Sequence, residues 1–164
     1  MVYLSSLLVA AASALTATAV SHPGPSLAGE WLIVDYQGRF FNLVDTQTGN
    51  LSPVQGWNDD SVTASKWLFL NTSNVNEFEI INVGSGTSLS YSTLTSGAEA
   101  IRAQIVGNQQ TTIWGFTPPS GFLIELDSGN AVTSWPVGSS GSNPLTLEGV
   151  NSADTHQVFK IVQV

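Results

Sequence analysis

Apolar and polar positions alternate over short runs along most of the chain, and no window sustains apolar residues at helical spacing. The strongest runs are Trp31-Leu32-Ile33-Val34, Phe40-Phe41-Asn42-Leu43-Val44, Trp67-Leu68-Phe69-Leu70, Phe78-Glu79-Ile80-Ile81, Phe122-Leu123-Ile124-Glu125-Leu126 and Val158-Phe159-Lys160-Ile161. Each is bounded by Gly, Asn, Ser or Pro, which break strands and supply turns. The pattern predicts an all-β domain. Only residues 97–103 (GAEAIRA) tolerate a helix, and that stretch is too short to change the class.

The runs repeat. Ser65-Lys66-Trp67-Leu68-Phe69, Thr112-Ile113-Trp114-Gly115-Phe116 and Gln157-Val158-Phe159-Lys160-Ile161 share the form x-x-aromatic-x-apolar, with aromatics 47 and then 45 residues apart. Ile33, Ile80 and Ile124 open the segments at intervals of 47 and 44. Two sets of anchors with one period predict three tandem units of roughly 46 residues. A few short strands cannot bury their apolar face alone. Three such units around a pseudo-threefold axis can close a barrel and remove most sheet edges. Trp67 with Phe69, Trp114 with Phe116, and Phe159 with Ile161 are expected to face the shared core.

The N-terminus reads differently. Residues 3–20 (YLSSLLVAAASALTATAV) form an uncharged apolar run followed by small residues. This predicts a secretory signal peptide over 1–21, cleaved after Ala19 or Ser21, and a secreted domain over 22–164. The repeats then cover about 26–71, 76–117 and 121–164. All twelve acids and four bases lie after the leader, so the mature net charge is −8. Arg39, Lys66, Arg102 and Lys160 are scattered singly, which argues against nucleic acid and against anionic membrane surfaces. The absence of cysteine excludes disulfides, thiolate metal sites and cysteine nucleophiles, so the core alone must hold the fold. Asn50-Leu51-Ser52 and Asn71-Thr72-Ser73 are glycosylation sequons, the second unhampered by a following proline.

Three repeats of this length, each ending near a Gln-x-Trp-like signature, resemble the ricin B-type lectins. The likeness is clearest in residues 78–89 (FEIINVGSGTSL) and in Gln157-Val158-Phe159. The resemblance implies a β-trefoil that binds carbohydrate. It also implies three residues per working repeat: an early Asp that accepts sugar hydroxyls, a ring about a dozen residues later that stacks on the C–H face, and an Asn before the Gln-x-Trp. A sugar has a wet edge and an apolar face, so a shallow site needs this mixture. The first repeat matches through Asp45 and Trp57, twelve residues apart, with Trp57 ten before Trp67. Ala64 stands where the Asn would be, and Asn58, Asp59 or Asp60 is a possible substitute. The second repeat has Ser90, Gln104 and Thr111 at the three places, and the third has Thr133, Gly149 and His156. Trp135, beside residues 138–142 (GSSGS), is a further candidate ring.

The residues themselves leave alternatives open. Residues 45–49 (DTQTG) could be a turn closed by the Asp side chain, and Trp57 could be a core ring. His156 lacks a spaced metal partner, no Gly-x-Ser-x-Gly elbow surrounds a serine, and no motif singles out a catalytic carboxylate pair. The expectation is therefore a secreted, non-enzymatic glycan binder without metal or cofactor. Its site would be Asp45, Trp57 and Asn58, directed to galactose or N-acetylgalactosamine. The alternative is a trefoil whose loops engage a protein partner, as a protease inhibitor or effector, with sugar binding lost.

Overall fold

A computed structural model describes residues 27–45, 51–94, 102–137 and 141–164. The leader, residues 46–50 with Asn50, most of 97–103 and residues 138–140 lie outside them. The strands are β1 (Glu30–Val34), β2 (Phe40–Leu43), β3 (Ser52–Trp57), β4 (Trp67–Asn71), β5 (Glu77–Asn82), β6 (Ser88–Tyr91) and β7 (Ile105–Asn108). Then come β8 (Ile113–Gly115), β9 (Ser120–Phe122), β10 (Ile124–Glu125), β11 (Ala131–Ser134), β12 (Asn143–Glu148) and β13 (Val158–Gln163).

Their antiparallel pairing closes a ring. β1 joins β4, β4 joins β5, β5 joins β8 and β8 joins β10. β9, one residue before β10, joins β13, and β13 returns to β1. The remaining strands form the hairpins β2–β3, β6–β7 and β11–β12. β3 pairs with both β7 and β12, and a bridge from Gln104 to Thr146 ties the third side. The three hairpins thus cap the ring and leave few free edges.

The core explains the ring. Trp67, Trp114 and Phe159 are fully buried, as are Phe69, Phe116 and Ile161 one step along the same strand faces. The Trp67 indole donates to the Phe41 carbonyl and the Trp114 indole to the Leu89 carbonyl, each at 2.9 Å. Trp31, Phe78 and Gly121 lie opposite these three aromatics, which makes Ile33, Ile80 and Leu123 equivalent two residues on. All three are buried. This corrects the third anchor: Leu123, not Ile124, faces the core. The segment 122–126 is interrupted at Leu123, between β9 and β10, but its burial alternates through the break: Leu123 and Glu125 are buried, and Ile124 between them is only half-buried.

Apart from β2, which the run Phe40–Val44 announces, the hairpin strands are the part that the apolar pattern does not mark. β3 (SPVQGW), β6 (SLSY), β7 (IVGN), β11 (AVTS) and β12 (NPLTLE) carry Ser, Thr, Gly, Pro and Asn. They are short and packed against one another, so polar residues there are buried, several with side-chain partners such as Thr112 for Ser90 and Gln157 for Thr133, while Asn108 Nδ2 has none. Gly56 and Gly107 are equivalent in register, opposite Phe41 and Leu89. A Cβ on Gly56 would strike the Asn143 side chain, and one on Gly107 would meet Thr87 Oγ1 at 2.5 Å. Close passage of the hairpins requires glycine at both places.

Each repeat also carries a buried side chain that closes its first turn. Asp35, Asn82 and Glu125 follow β1, end β5 and end β10, all buried. Asp35 Oδ1 accepts from the Gln37 and Arg39 amides, Asn82 Oδ1 from Gly84 and Ser85, and the Glu125 carboxylate from Asp127 and Ser128. Gly38, Gly86 and Gly129, at φ between 71° and 80°, finish these turns.

Candidate functional site

The first hairpin positions the site. Phe41, Leu43 and Val54 point into the core, so Asn42, Gln55 and Trp57 lie on the other face by strand alternation, where Asn42 is covered by the chain before β4. Trp57 ends β3 with 38% of its surface exposed, which removes the reading of it as a core ring. Asp45 lies exposed just beyond β2, in the left-handed region at φ 59°, a conformation Asp tolerates better than most residues. Asp45 and Trp57 line one shallow depression of about 490 Å³. Its opposite wall is the chain between β3 and β4, through Asp59, Val62, Thr63 and Ala64.

That wall is tied down from beneath. The buried Asn42 Nδ2 donates to Ser65 Oγ at 3.0 Å, and Ser65 Oγ donates to the Asp59 carbonyl at 2.8 Å. Asp59 Oδ1 accepts from the Ser61 hydroxyl at 2.6 Å and the Ser61 amide at 2.9 Å. These bonds favour the anion and hold the Asp59 carboxyl below its ordinary value. The depression therefore offers an exposed indole face and two carboxylates on an anchored frame. This combination suits a polyhydroxylated ligand with one apolar face.

Of the three residues expected from sequence, Asp45 and Trp57 come together. Asn58 is exposed next to Trp57 but does not line the depression, where Asp59 stands instead. The signal for Asp59 was its spacing to Ser61, an Asx turn that fixes the carboxylate.

The register also revises the alignment of the repeats. The indole bonds set Phe41 level with Leu89, and the pairing of Val132 with Leu147 adds the third member. Asn42, Ser90 and Thr133 are then equivalent, and each bonds the residue two before the core aromatic: Ser65, Thr112 and Gln157. Asp45 thus lies three residues beyond the level of Ser90 and Thr133. Trp57 is level with Asn108 and Glu148, not with Gln104 and Gly149. Counting back from the core aromatic fails because the loops before β4, β8 and β13 differ in length. Neither other hairpin places a ring there. Trp135 is 40% exposed, and its indole donates to Thr146 Oγ1 at 2.8 Å. His156 is held by the Asp154 carboxylate at 2.8 Å and packs edge-on against Tyr36. Among the described residues, no three His, Cys, Asp or Glu side chains assemble to hold a metal ion.

A six-stranded ring capped by three hairpins is a β-trefoil. No protein-family model and no curated relative matches the chain. Among solved structures it is similar to the Rhizoctonia solani agglutinin, with TM-score 0.73 and 16% identity over 87% of this chain and 100% of that one. It is also similar to the Macrolepiota procera ricin B-like lectin in complex with lactose, with TM-score 0.67 and 15% identity over 82% and 95%. A designed threefold-symmetric protein, ThreeFoil, aligns with TM-score 0.68 and 14% identity over 83% and 99%. At these identities the likeness is one of fold, the β-trefoil of the ricin B-like lectins.

Proposed function

We propose that this protein is a secreted, non-catalytic carbohydrate binder with one site, at the first hairpin. The observation that carries the reading is the exposed Trp57 ring in one depression with the Asp45 and Asp59 carboxylates. The ring supplies the stacking face, and the carboxylates accept from adjacent sugar hydroxyls. Asn58, beside the ring, is a peripheral contact. The lactose in the Macrolepiota lectin supports a galactose-type ligand, with N-acetylgalactosamine as its close analogue. The leader-like N-terminus supports secretion and, with it, glycosylation at Asn71.

A glycan array on the mature protein tests this. Galactose- or N-acetylgalactosamine-terminated glycans should bind, and Asp45→Ala or Trp57→Ala should weaken them at least tenfold, about 1.4 kcal/mol. Binding unchanged in both variants would remove the site. No glycan hit, together with stoichiometric inhibition of a protease, would replace it with the protein-partner reading.

A further inference from the structure

The three junctions between repeats are built alike, except one. At the first, the Val83 amide donates to the Lys66 carbonyl at 2.9 Å. At the second, the Leu126 amide donates to the Ile113 carbonyl at 3.2 Å. The register of β1 on β13 makes Tyr36 and Val158 the corresponding pair, one step beyond Val34 and Lys160 on the bonded side of the ladder. No bond joins them among the described residues. The cause is a shorter turn. Gly38 bonds back to Asp35 three residues earlier, whereas Gly86 and Gly129 bond back to Asn82 and Glu125 four residues earlier. With one residue fewer in this turn, Tyr36 makes no ladder bond to Val158.

A cleft of about 310 Å³ opens at this junction, enough for one monosaccharide. Tyr36 and Val158 line it, with Ser120, Thr155 and Lys160 on its rim. The Tyr36 ring is held edge-on by His156 at 4.4 Å between centroids, and His156 by Asp154. Asp35 also lines the cleft, but its carboxylate is engaged by the Gln37 and Arg39 amides and by Ser134 Oγ at 2.7 Å. The unmade bond leaves a backbone donor on the exposed Tyr36 and a backbone acceptor on the half-buried Val158 without a partner in the protein, at a cleft open to solvent. The gap is one pair long. Val34 and Lys160 are paired on one side of it, and the Val158 amide is spent on the Thr155 carbonyl on the other. An added peptide strand therefore has no ladder to extend.

We propose that this cleft is a second glycan subsite, selective for an N-acetylated sugar. One acetamido group supplies the missing partners: its carbonyl accepts from the Tyr36 amide, and its N–H donates to the Val158 carbonyl. The Tyr36 ring covers the sugar's C–H face, and Ser120 and Thr155 meet ring hydroxyls. The proposal rests on reading the protein as a glycan binder but needs no contribution from Trp57.

N-acetylglucosamine and glucose, which differ by the acetamido group, are the probes for calorimetry and saturation-transfer NMR on the mature protein. N-acetylglucosamine should bind, with its acetamido methyl most strongly saturated, and glucose at least tenfold more weakly. Ser120→Tyr, filling the cleft from its exposed rim, and Tyr36→Ala should each abolish this while leaving lactose binding intact. Trp57→Ala should do the reverse. Should Tyr36→Ala fail to fold, Ser120→Tyr decides alone. Equal binding of the two sugars, or N-acetylglucosamine binding that survives Ser120→Tyr, would overturn the proposal. Loss of lactose binding alone would overturn only the first-hairpin site.

Discussion

Trp57 and Trp67 lie ten residues apart in the same repeat and have opposite surroundings. Trp67 is fully buried, pairs with Trp31 and Asn82, and gives its indole proton to the Phe41 carbonyl. Trp57 ends a hairpin strand with more than a third of its surface in water. Trp67 has near equivalents in Trp114 and Phe159, whereas Asn108 and Glu148 stand at Trp57's level in the other hairpins. The difference separates two demands on one chain. The ring and its cap need an aromatic at all three inner places. The outer face of each hairpin carries no such packing demand, and Trp57 stands there without an equivalent ring in the other two.

The largest test of this contrast is stability. Trp67→Ala should cost about 3–5 kcal/mol, from a large cavity and an orphaned Phe41 carbonyl. Trp57→Ala should shift stability within about 0.5 kcal/mol, as expected for an exposed position. Denaturant unfolding of both variants measures the ratio, and comparable losses would erase the distinction. Phe159 shows that the indole proton is dispensable at the third place, so Trp67→Phe should be much milder than Trp67→Ala.

Next in size is the turn-closing side chain. Asn82 Nδ2 donates to the Ala64 and Lys66 carbonyls at 2.8 and 3.3 Å, while its Oδ1 takes two turn amides. Asn82→Ala should cost about 1–3 kcal/mol by leaving these groups unpaired in the interior. It should also loosen the wall of the candidate site through Ala64, so lactose affinity should fall along with the melting temperature. In Trp57→Ala, affinity should fall while melting holds. Calorimetry and thermal unfolding on the two variants separate a residue that frames the site from one that touches the ligand.

The sequence made the inner system legible and the outer one only in part. The residues 67, 114 and 159 are large and aromatic, so their period was visible without any fold in mind. Among the ring strands beside them, β5 alternates strictly in burial and the segment 122–126 does so through its break at Leu123, whereas β1 is buried over three successive residues. Apart from β2, the hairpin strands were hidden because they are four to six residues rich in Ser, Thr, Gly, Pro and Asn, with side-chain bonds such as Ser90 to Thr112. Asp45 and Trp57 were paired through the resemblance to the ricin B-type lectins, and both line one depression. The levels of the other repeats were not legible, because loop lengths vary between hairpin and core aromatic. The short turn at Asp35 was present in the sequence as Asp-Tyr-Gln-Gly against Asn-Val-Gly-Ser-Gly and Glu-Leu-Asp-Ser-Gly. Its meaning depended on knowing that Asp35, Asn82 and Glu125 are one position.

The smallest effect concerns the proton on Asp59. Bonds from the Ser61 hydroxyl and amide lower its carboxyl below the ordinary 3.8. A group lowered in the folded state contributes stability above its unfolded value and loses it as pH falls through its folded value. The loop contact should therefore be intact at neutral pH, and across mild acidification to 3.8, and fade only below that. Carboxyl-carbon NMR should give Asp59 a midpoint under 3.8, and Ser61→Ala should raise it by removing the larger cause while the backbone bond remains. If Asp59 accepts a sugar hydroxyl as an anion, lactose affinity should persist to lower pH in the parent than in Ser61→Ala. Identical acid limbs for the two proteins would leave Asp59 as a loop anchor and assign the acceptor role to Asp45 alone.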